Sequence, residues 1–364
     1  MNRDAFSARL AAIRPADAAA MDAARRRQAQ LAKPPGSLGK LEDISIQLAG
    51  ITGHIDNEIE KTRIYVLAAD NGVVAEGVSS APQSVTRQQA INLTRGVTGA
   101  SAIARRFGDE LVVVDVGIAE DYTCPQIVNR RIARGTKNIA KEPAMTVQQA
   151  LTALDTGMTL AAQAKRDGVQ ALGVGEMGIG NTTTSAAVLM ALTGCAVEDA
   201  VGRGGGVTDE AFARKRAVAA GALARLRPDT GDAVDVLAKV GGFDLAAMAG
   251  VFLGAAESRL PVVIDGFISV VAALCAVRLC PAARDFLFAS HGSFERGYAV
   301  AAQALSLTPV LLLDMRLGEG SGCPLGFRVL EAACAAMNGM ATFEDARIDD
   351  GYLAPIRAKD CFTV

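Results

Sequence analysis

From residue 63 to residue 313 the chain alternates short, unbroken apolar runs with longer segments of helical periodicity, and this alternation restricts the fold more than any other feature. The apolar runs occupy residues 63–69, 111–116, 169–174, 261–264, 285–289 and 309–313. Val, Ile and Leu follow one another in them without polar alternation. Strands of that kind are buried on both faces, which is the mark of a parallel sheet covered by helices on each side. Six runs predict six strands. Helical patterns separate them, at 84–93, 147–165, 210–225, 245–257, 268–277 and 294–305. The two chain ends read differently. Residues 5–32, 41–51 and 325–340 are helical in pattern, with no strand between them. Lys33-Pro34-Pro35-Gly36-Ser37-Leu38-Gly39 breaks the first of these, because Pro and Gly cannot continue a helix. Residues 1–50 and 325–364 are therefore expected to form a small helical domain beside an α/β domain of residues 51–324.

Composition removes several classes of function. Half the residues are apolar and 21% are charged, an ordinary globular balance. A net charge of −2 without a basic block, 4% aromatics and no Trp argue against nucleic acid as a partner. The first twenty residues carry charges throughout, so no signal peptide is expected, and the longest apolar runs are too short to span a bilayer. Seven cysteines without a CxxC pair, and only two histidines, His54 and His291, argue against a zinc site. A reducing cytoplasm is expected, with Cys124, Cys195, Cys275, Cys280, Cys323, Cys334 and Cys361 acting as small buried apolar residues.

The polar residues gather after the strands. Asp70-Asn71-Gly72 follows the first, Asp115 and Gly117 close the second, and Gly175-Glu176 closes the third. Asp265-Gly266 follows the fourth, Ser290-His291-Gly292-Ser293 the fifth, and the segment from Asp314 to Gly322 the expected sixth. Ligands of open parallel sheets bind beyond the carboxyl ends of the strands, so six such ends point to one composite pocket. Each loop taken alone also reads as an ordinary polar connection.

Four stretches carry candidate chemistry. Gly175-Glu176-Met177-Gly178-Ile179-Gly180 leads into a helix whose free N–H groups suit an anion. Glu176 there caps the helix, pairs with an arginine, or lines an active site; the residues leave these open. Gly202-Arg203-Gly204-Gly205-Gly206-Val207 exposes consecutive N–H groups, a phosphate cradle, and Lys215 follows on the next helix. The alternative is a flexible turn. The glycine run has no Walker A lysine after its glycines and does not fit GxGxxG after a strand. Glu319 lies among glycines in Leu317-Gly318-Glu319-Gly320-Ser321-Gly322, with room for a substrate and with apolar neighbours able to lift its pKa, or else it is a solvated loop residue. Finally, residues 78–88 offer hydroxyl and amide groups, Ser80 and Gln88 among them, for a small heterocycle; a helix cap at Ser84 is the plainer reading.

Five segments, taken in order, make up a resemblance. KPPGSLGKLE (33–42), ADNGVVAEGVSSAPQSVT (69–86), GEMGIGNTTTSAA (175–187), GRGGGVTDE (202–210) and LGEGSG (317–322) together resemble nicotinate-nucleotide–dimethylbenzimidazole phosphoribosyltransferases over nearly the whole chain. One departure is Asn71, where the family pattern has His; this bears on which base is preferred. The resemblance implies a Rossmann-like α/β domain, a small helical domain, a homodimer, no cofactor and no metal. It implies transfer of the ribosyl phosphate of nicotinate mononucleotide to 5,6-dimethylbenzimidazole or a related base in cobalamin assembly. Glu319 matches the general base and Glu176 a second carboxylate near the sugar. Gly204, Gly205, Gly206 and Lys215 match the phosphate site, and Ser80 and Gln88 the wall of the base pocket. Competing readings are an activator of another lower-ligand base, a non-catalytic subunit of such an enzyme, a nicotinamide-dependent dehydrogenase, and a transferase using pyrophosphoryl ribose. The failure of the 202–207 glycine run to fit GxGxxG opposes the dehydrogenase, and the retention of both Glu319 and Glu176 opposes the non-catalytic subunit.

Overall fold

The computed structural model describes residues 1–359, the last three by backbone alone; Cys361 lies outside the described residues. Six parallel strands form one sheet: β1 (Thr62–Ala69), β2 (Glu110–Gly117), β3 (Val128–Asn129), β4 (Ala171–Met177), β5 (Val262–Ile264) and β6 (Leu287–Ala289). Their order is β3-β2-β1-β4-β5-β6. Every residue of β1 is buried, as its unbroken apolar run requires. The chain winds outward from β1 to β3, then crosses back to β4 and winds the other way. β1 and β4 are therefore neighbours, with Leu67 opposite Glu176 and Ala68 opposite Met177. Loops diverge at such a reversal and leave a crevice.

Two helices against the sheet have no polar face. Phe243–Glu257 is buried from Phe243 to Ala256, and Phe267–Leu279 from Phe267 to Ala276. A helix apolar all round belongs inside. The first packs closely on Val147–Arg166: a Cβ at Gly157 would collide with the carbonyl of Ala247, and one at Gly250 with that of Leu154. No described helix is long and apolar enough to cross a membrane.

One expected strand is absent. Residues 309–313 form no strand; only Leu311 makes an isolated parallel bridge, to His291. The segment starts at a proline, which donates no N–H, and its apolar side chains turn outward, with Leu312 83% and Leu313 50% exposed. The sixth strand is instead β3, at the opposite edge, and its two residues are too few to show a pattern. The cysteine expectation also narrows: Cys275, Cys280, Cys323 and Cys334 are buried, but Cys124 and Cys195 only partly so.

The chain divides into two compact units, residues 1–14 with 61–326, and 15–60 with 327 onward. These limits differ from the expected 1–50, 51–324 and 325–364 mainly at the start. The helix Arg3–Ala12 belongs with the sheet, where Phe6 is buried and Arg9 pairs with Asp155 at 2.9 Å and with Glu257. The second unit carries the helices Ala18–Gln30 and Lys40–Thr52 around Ala24, Ala49 and Met337. Its KPPGSLGKLE loop is closed by a buried Lys33–Glu42 ion pair of 2.6 Å, and Glu42 also accepts the Leu38 N–H at 3.0 Å.

Candidate active site

A cleft of ≈ 240 Å³ opens at the carboxyl edge of β1, β4 and β5. Its two chemical halves are built from different elements. On one side the helix Asn181–Thr193 begins directly after Gly180, whose φ of +93° only glycine adopts freely. Thr182 in its first turn accepts from Lys215 Nζ at 2.7 Å. Lys215, on the helix Asp209–Leu226, is 1% exposed. Burial pulls its pKa down to about 8, with the carboxylate of Glu295 acting the other way. Gly204 completes the corner: a Cβ there would sit 3.2 Å from Lys215 Nζ. Gly205 and Gly206 border the same cleft with open space beside them. The glycine run and the lysine, separate in sequence, thus meet at a helix N-terminus, where N–H groups and an ammonium suit a phosphate.

The other half is carboxylic. Glu176, near the end of β4, accepts from Asn181 Nδ2 and from the backbone N–H of Glu319. Burial raises its pKa to about 8; the nearby Asp244 and Asp265 add to the rise, and the two hydrogen bonds oppose it. Asn181 Nδ2 also donates to Asp244 at 3.1 Å, so one amide bridges two buried carboxyl groups. Burial lifts Asp244 to about 6 and Asp265 to about 7. Asp265 follows β5 and accepts the N–H groups of Gly320 at 3.0 Å and Gly322 at 2.7 Å. His291 lies on the same wall, with Nδ1 3.9 Å from Asp265 and 3.1 Å from Ser290 Oγ. Its burial pushes its pKa down to about 4, so the imidazole is neutral near pH 7.

Glu319 is 3% exposed and sits in a left-handed conformation, φ +62°, between two glycines of φ +83°. Its Oε1 accepts from Gln89 Nε2 at 3.2 Å, and its Oε2 from the N–H of Ala100 at 3.2 Å, in the first turn of the helix Gly99–Phe107. The neighbouring Leu317 and Gly318 border the cleft, and a Cβ at Gly318 would press on Glu176 Oε1.

The structure therefore brings Glu176, Gly204, Gly205, Gly206, Lys215 and Ser80 to one cleft, with Glu319 just behind its rim. Gln88 is exposed and does not border the cleft; its neighbour Gln89 is the residue that reaches Glu319. Asn71 is fully buried, donating to Asp244 at 3.4 Å and accepting from Thr184 Oγ1 at 3.3 Å, and it is not part of the cleft wall. The sequence marks the Asp265 and His291 clusters, and Asn181 and Thr182 within 175–187, but assigns none of them a role, and Asp244 carries no signal there.

A doubly wound sheet with an anion corner facing a bank of buried carboxyl groups at its reversal point defines an α/β enzyme for a phosphorylated small molecule. The profile of a phosphoribosyltransferase family matches residues 13–348. The chain is 51% identical, over 341 residues and 94% of each chain, to the nicotinate-nucleotide–dimethylbenzimidazole phosphoribosyltransferase of Clostridium perfringens (strain 13 / Type A). It is 48% identical, over 329 residues, to the enzyme of the same name from Acetivibrio thermocellus, covering 90% of this chain and 94% of that one. The crystal structure of CobT from Thermus thermophilus superposes with a TM-score of 0.88 at 43% identity, over 92% of this chain and 100% of the other. The chain belongs to the nicotinate-nucleotide–dimethylbenzimidazole phosphoribosyltransferase family.

Proposed function

We infer that this enzyme moves the ribosyl phosphate of nicotinate mononucleotide to 5,6-dimethylbenzimidazole, giving α-ribazole 5′-phosphate and nicotinate for the nucleotide loop of cobalamin. The observation that carries the reading, beside the family, is the pairing of an anion-binding corner with carboxyl groups in one cleft. The 5′-phosphate lies against Thr182, Lys215 and the N–H groups of Gly204–Gly206. The benzimidazole lies toward Ser80, and Gln88, exposed outside the cleft, bears on it less directly.

The chemistry is a displacement at the ribose C1′. The bond from C1′ to the pyridinium nitrogen breaks, and its electron pair stays on that nitrogen, so nicotinate leaves with a neutral ring nitrogen. The lone pair of one benzimidazole nitrogen forms the new bond. The proton on its other nitrogen passes to Glu319, the general base, a role worth roughly 10²–10⁴-fold in rate. Gln89 and the Ala100 N–H hold the Glu319 carboxylate for this step. Glu176, which keeps its proton up to about pH 8, faces the sugar; a cationic pyridinium brought near it favours the ionised form.

The reading includes a homodimer in the cytoplasm. Six free cysteines among the described residues fit a reducing compartment. The exposed Phe294, Leu312, Leu313 and Leu317 supply apolar surface for a second copy. Incubation with nicotinate mononucleotide and a panel of benzimidazoles, purines and phenols, with products read by mass spectrometry, tests the function. Release of nicotinate with a riboside phosphate of dimethylbenzimidazole is expected; no nicotinate with any base overturns it.

A further inference from the structure

Glu319 stands in a loop that a free chain does not favour. Gly318, Glu319 and Gly320 are three successive residues with positive φ, and the middle one carries a side chain. Something must hold such a turn. On one side the loop lies against β4, where a Cβ at Gly175 would collide with the backbone nitrogen of Gly320. On the other side stands Asp265. Each of its two oxygens takes one N–H from the loop, Oδ2 that of Gly320 at 3.0 Å and Oδ1 that of Gly322 at 2.7 Å. Asp265 is itself fixed. Its backbone N–H donates to Ser269 Oγ at 3.2 Å, and Ser269 Oγ donates to the carbonyl of Val174 in β4 at 3.0 Å. A two-pronged acceptor from β5 thus grips the residues on the C-terminal side of Glu319, while Gln89 and Ala100 grip its carboxylate.

We propose that Asp265 is a positioning residue for Glu319: through the N–H groups of Gly320 and Gly322 it fixes the turn that aims the base. This rests on the assignment of Glu319 as general base. Asp265 also borders the cleft, so the rival role is direct contact with the nucleotide, and the two roles separate kinetically. Asp265→Asn keeps the size but turns an NH₂ toward one of the two loop N–H groups. Misplacing a catalytic group by about 1 Å costs up to about 10²-fold, so kcat should fall about 10- to 100-fold while KM for nicotinate mononucleotide stays within about threefold. In the double variant Asp265→Asn/Glu319→Gln the loss should equal that of Glu319→Gln alone, because a misaimed base that cannot take a proton loses nothing more.

Losses that multiply in the double variant, or a KM increase at unchanged kcat, overturn the positioning role and leave the base intact. Near-wild-type turnover in Glu319→Gln instead removes the base assignment, and this inference with it. A third measurement needs no variant. In the wild-type enzyme the amides of Gly320 and Gly322 should exchange with deuterium as slowly as those of β4; exchange at the rate of an open loop overturns the grip.

Discussion

The two halves of the cleft respond to the same burial in opposite electrical senses. Lys215 is pulled down to about 8 and Glu176 pushed up to about 8, each toward its neutral form. Their surroundings differ. Lys215 has one hydroxyl bonded to it and the carboxylate of Glu295 within electrostatic reach, and the N–H groups around it carry the same sign as its own charge. Glu176 has two further carboxyl groups, Asp244 and Asp265, within the same kind of reach. The cleft therefore sets a cation short of an anion beside an acid short of a cation. A zwitterionic substrate with phosphate at one end and pyridinium near the sugar satisfies both. Burial here sets up a complementarity that water would otherwise screen.

The strongest way to break this comparison is to remove the proton acceptor. Glu319→Gln should lower turnover by about 10²–10⁴-fold and leave nucleotide binding unchanged. Adding Glu176→Gln should deepen the loss. A slow Glu176→Gln beside a normal Glu319→Gln would move the base to β4. On the cation side, Lys215→Ala should weaken nucleotide binding by about 1.5–3 kcal/mol, the range for a charged hydrogen bond, with a smaller change in kcat. Unaltered affinity by calorimetry would take the phosphate away from this corner.

A third prediction sharpens the contrast through stability. Glu176 holds its proton to about pH 8 when folded, against an ordinary value of 4.5. Between these values the unfolded chain sheds a proton that the folded chain keeps, so stability falls as pH rises through that window. Lys215 works oppositely: the unfolded lysine stays charged to 10.5 and the folded one only to about 8, so stability rises with pH across that upper window. Melting temperatures of Glu176→Gln should decline less from about pH 5 to about pH 8 than those of the wild type, by a few degrees. Parallel curves would remove Glu176 as the source. The smallest effects belong to the base pocket. Ser80→Ala should reorder competing bases without altering nucleotide affinity, and Gln88→Ala, at an exposed position, should reorder them less.

The centre of this molecule was legible in its sequence, and the edges were not. β1 and β4 announce themselves because strands covered on both faces admit few polar residues. β3 is two residues long and carries no pattern. Residues 309–313 have the apolar content of a buried strand, but content is not burial, and Leu312 and Leu313 face outward. Within the site, Glu176, Glu319 and the glycine run stand out because a charge among glycines has few structural uses. Gln88 and Gln89 cannot be told apart in sequence, since which one faces Glu319 depends on the rotation of one helix. Asp265 is visible there only as a polar residue after a strand. Its partners lie 55 and 57 positions further along the chain, and no local spacing reveals them.

Gly175 bears on how a mutational survey of this enzyme would look. It does not line the cleft and has nothing to ionise, yet any side chain there collides with the backbone of Gly320 beside Glu319. Gly173, two residues back, meets Cys323 in the same way, its added Cβ lying 2.7 Å from that of Cys323. Substituting either displaces the turn from beneath, so a screen for lost activity would score two silent positions in the middle of a strand as severely as the acid they support.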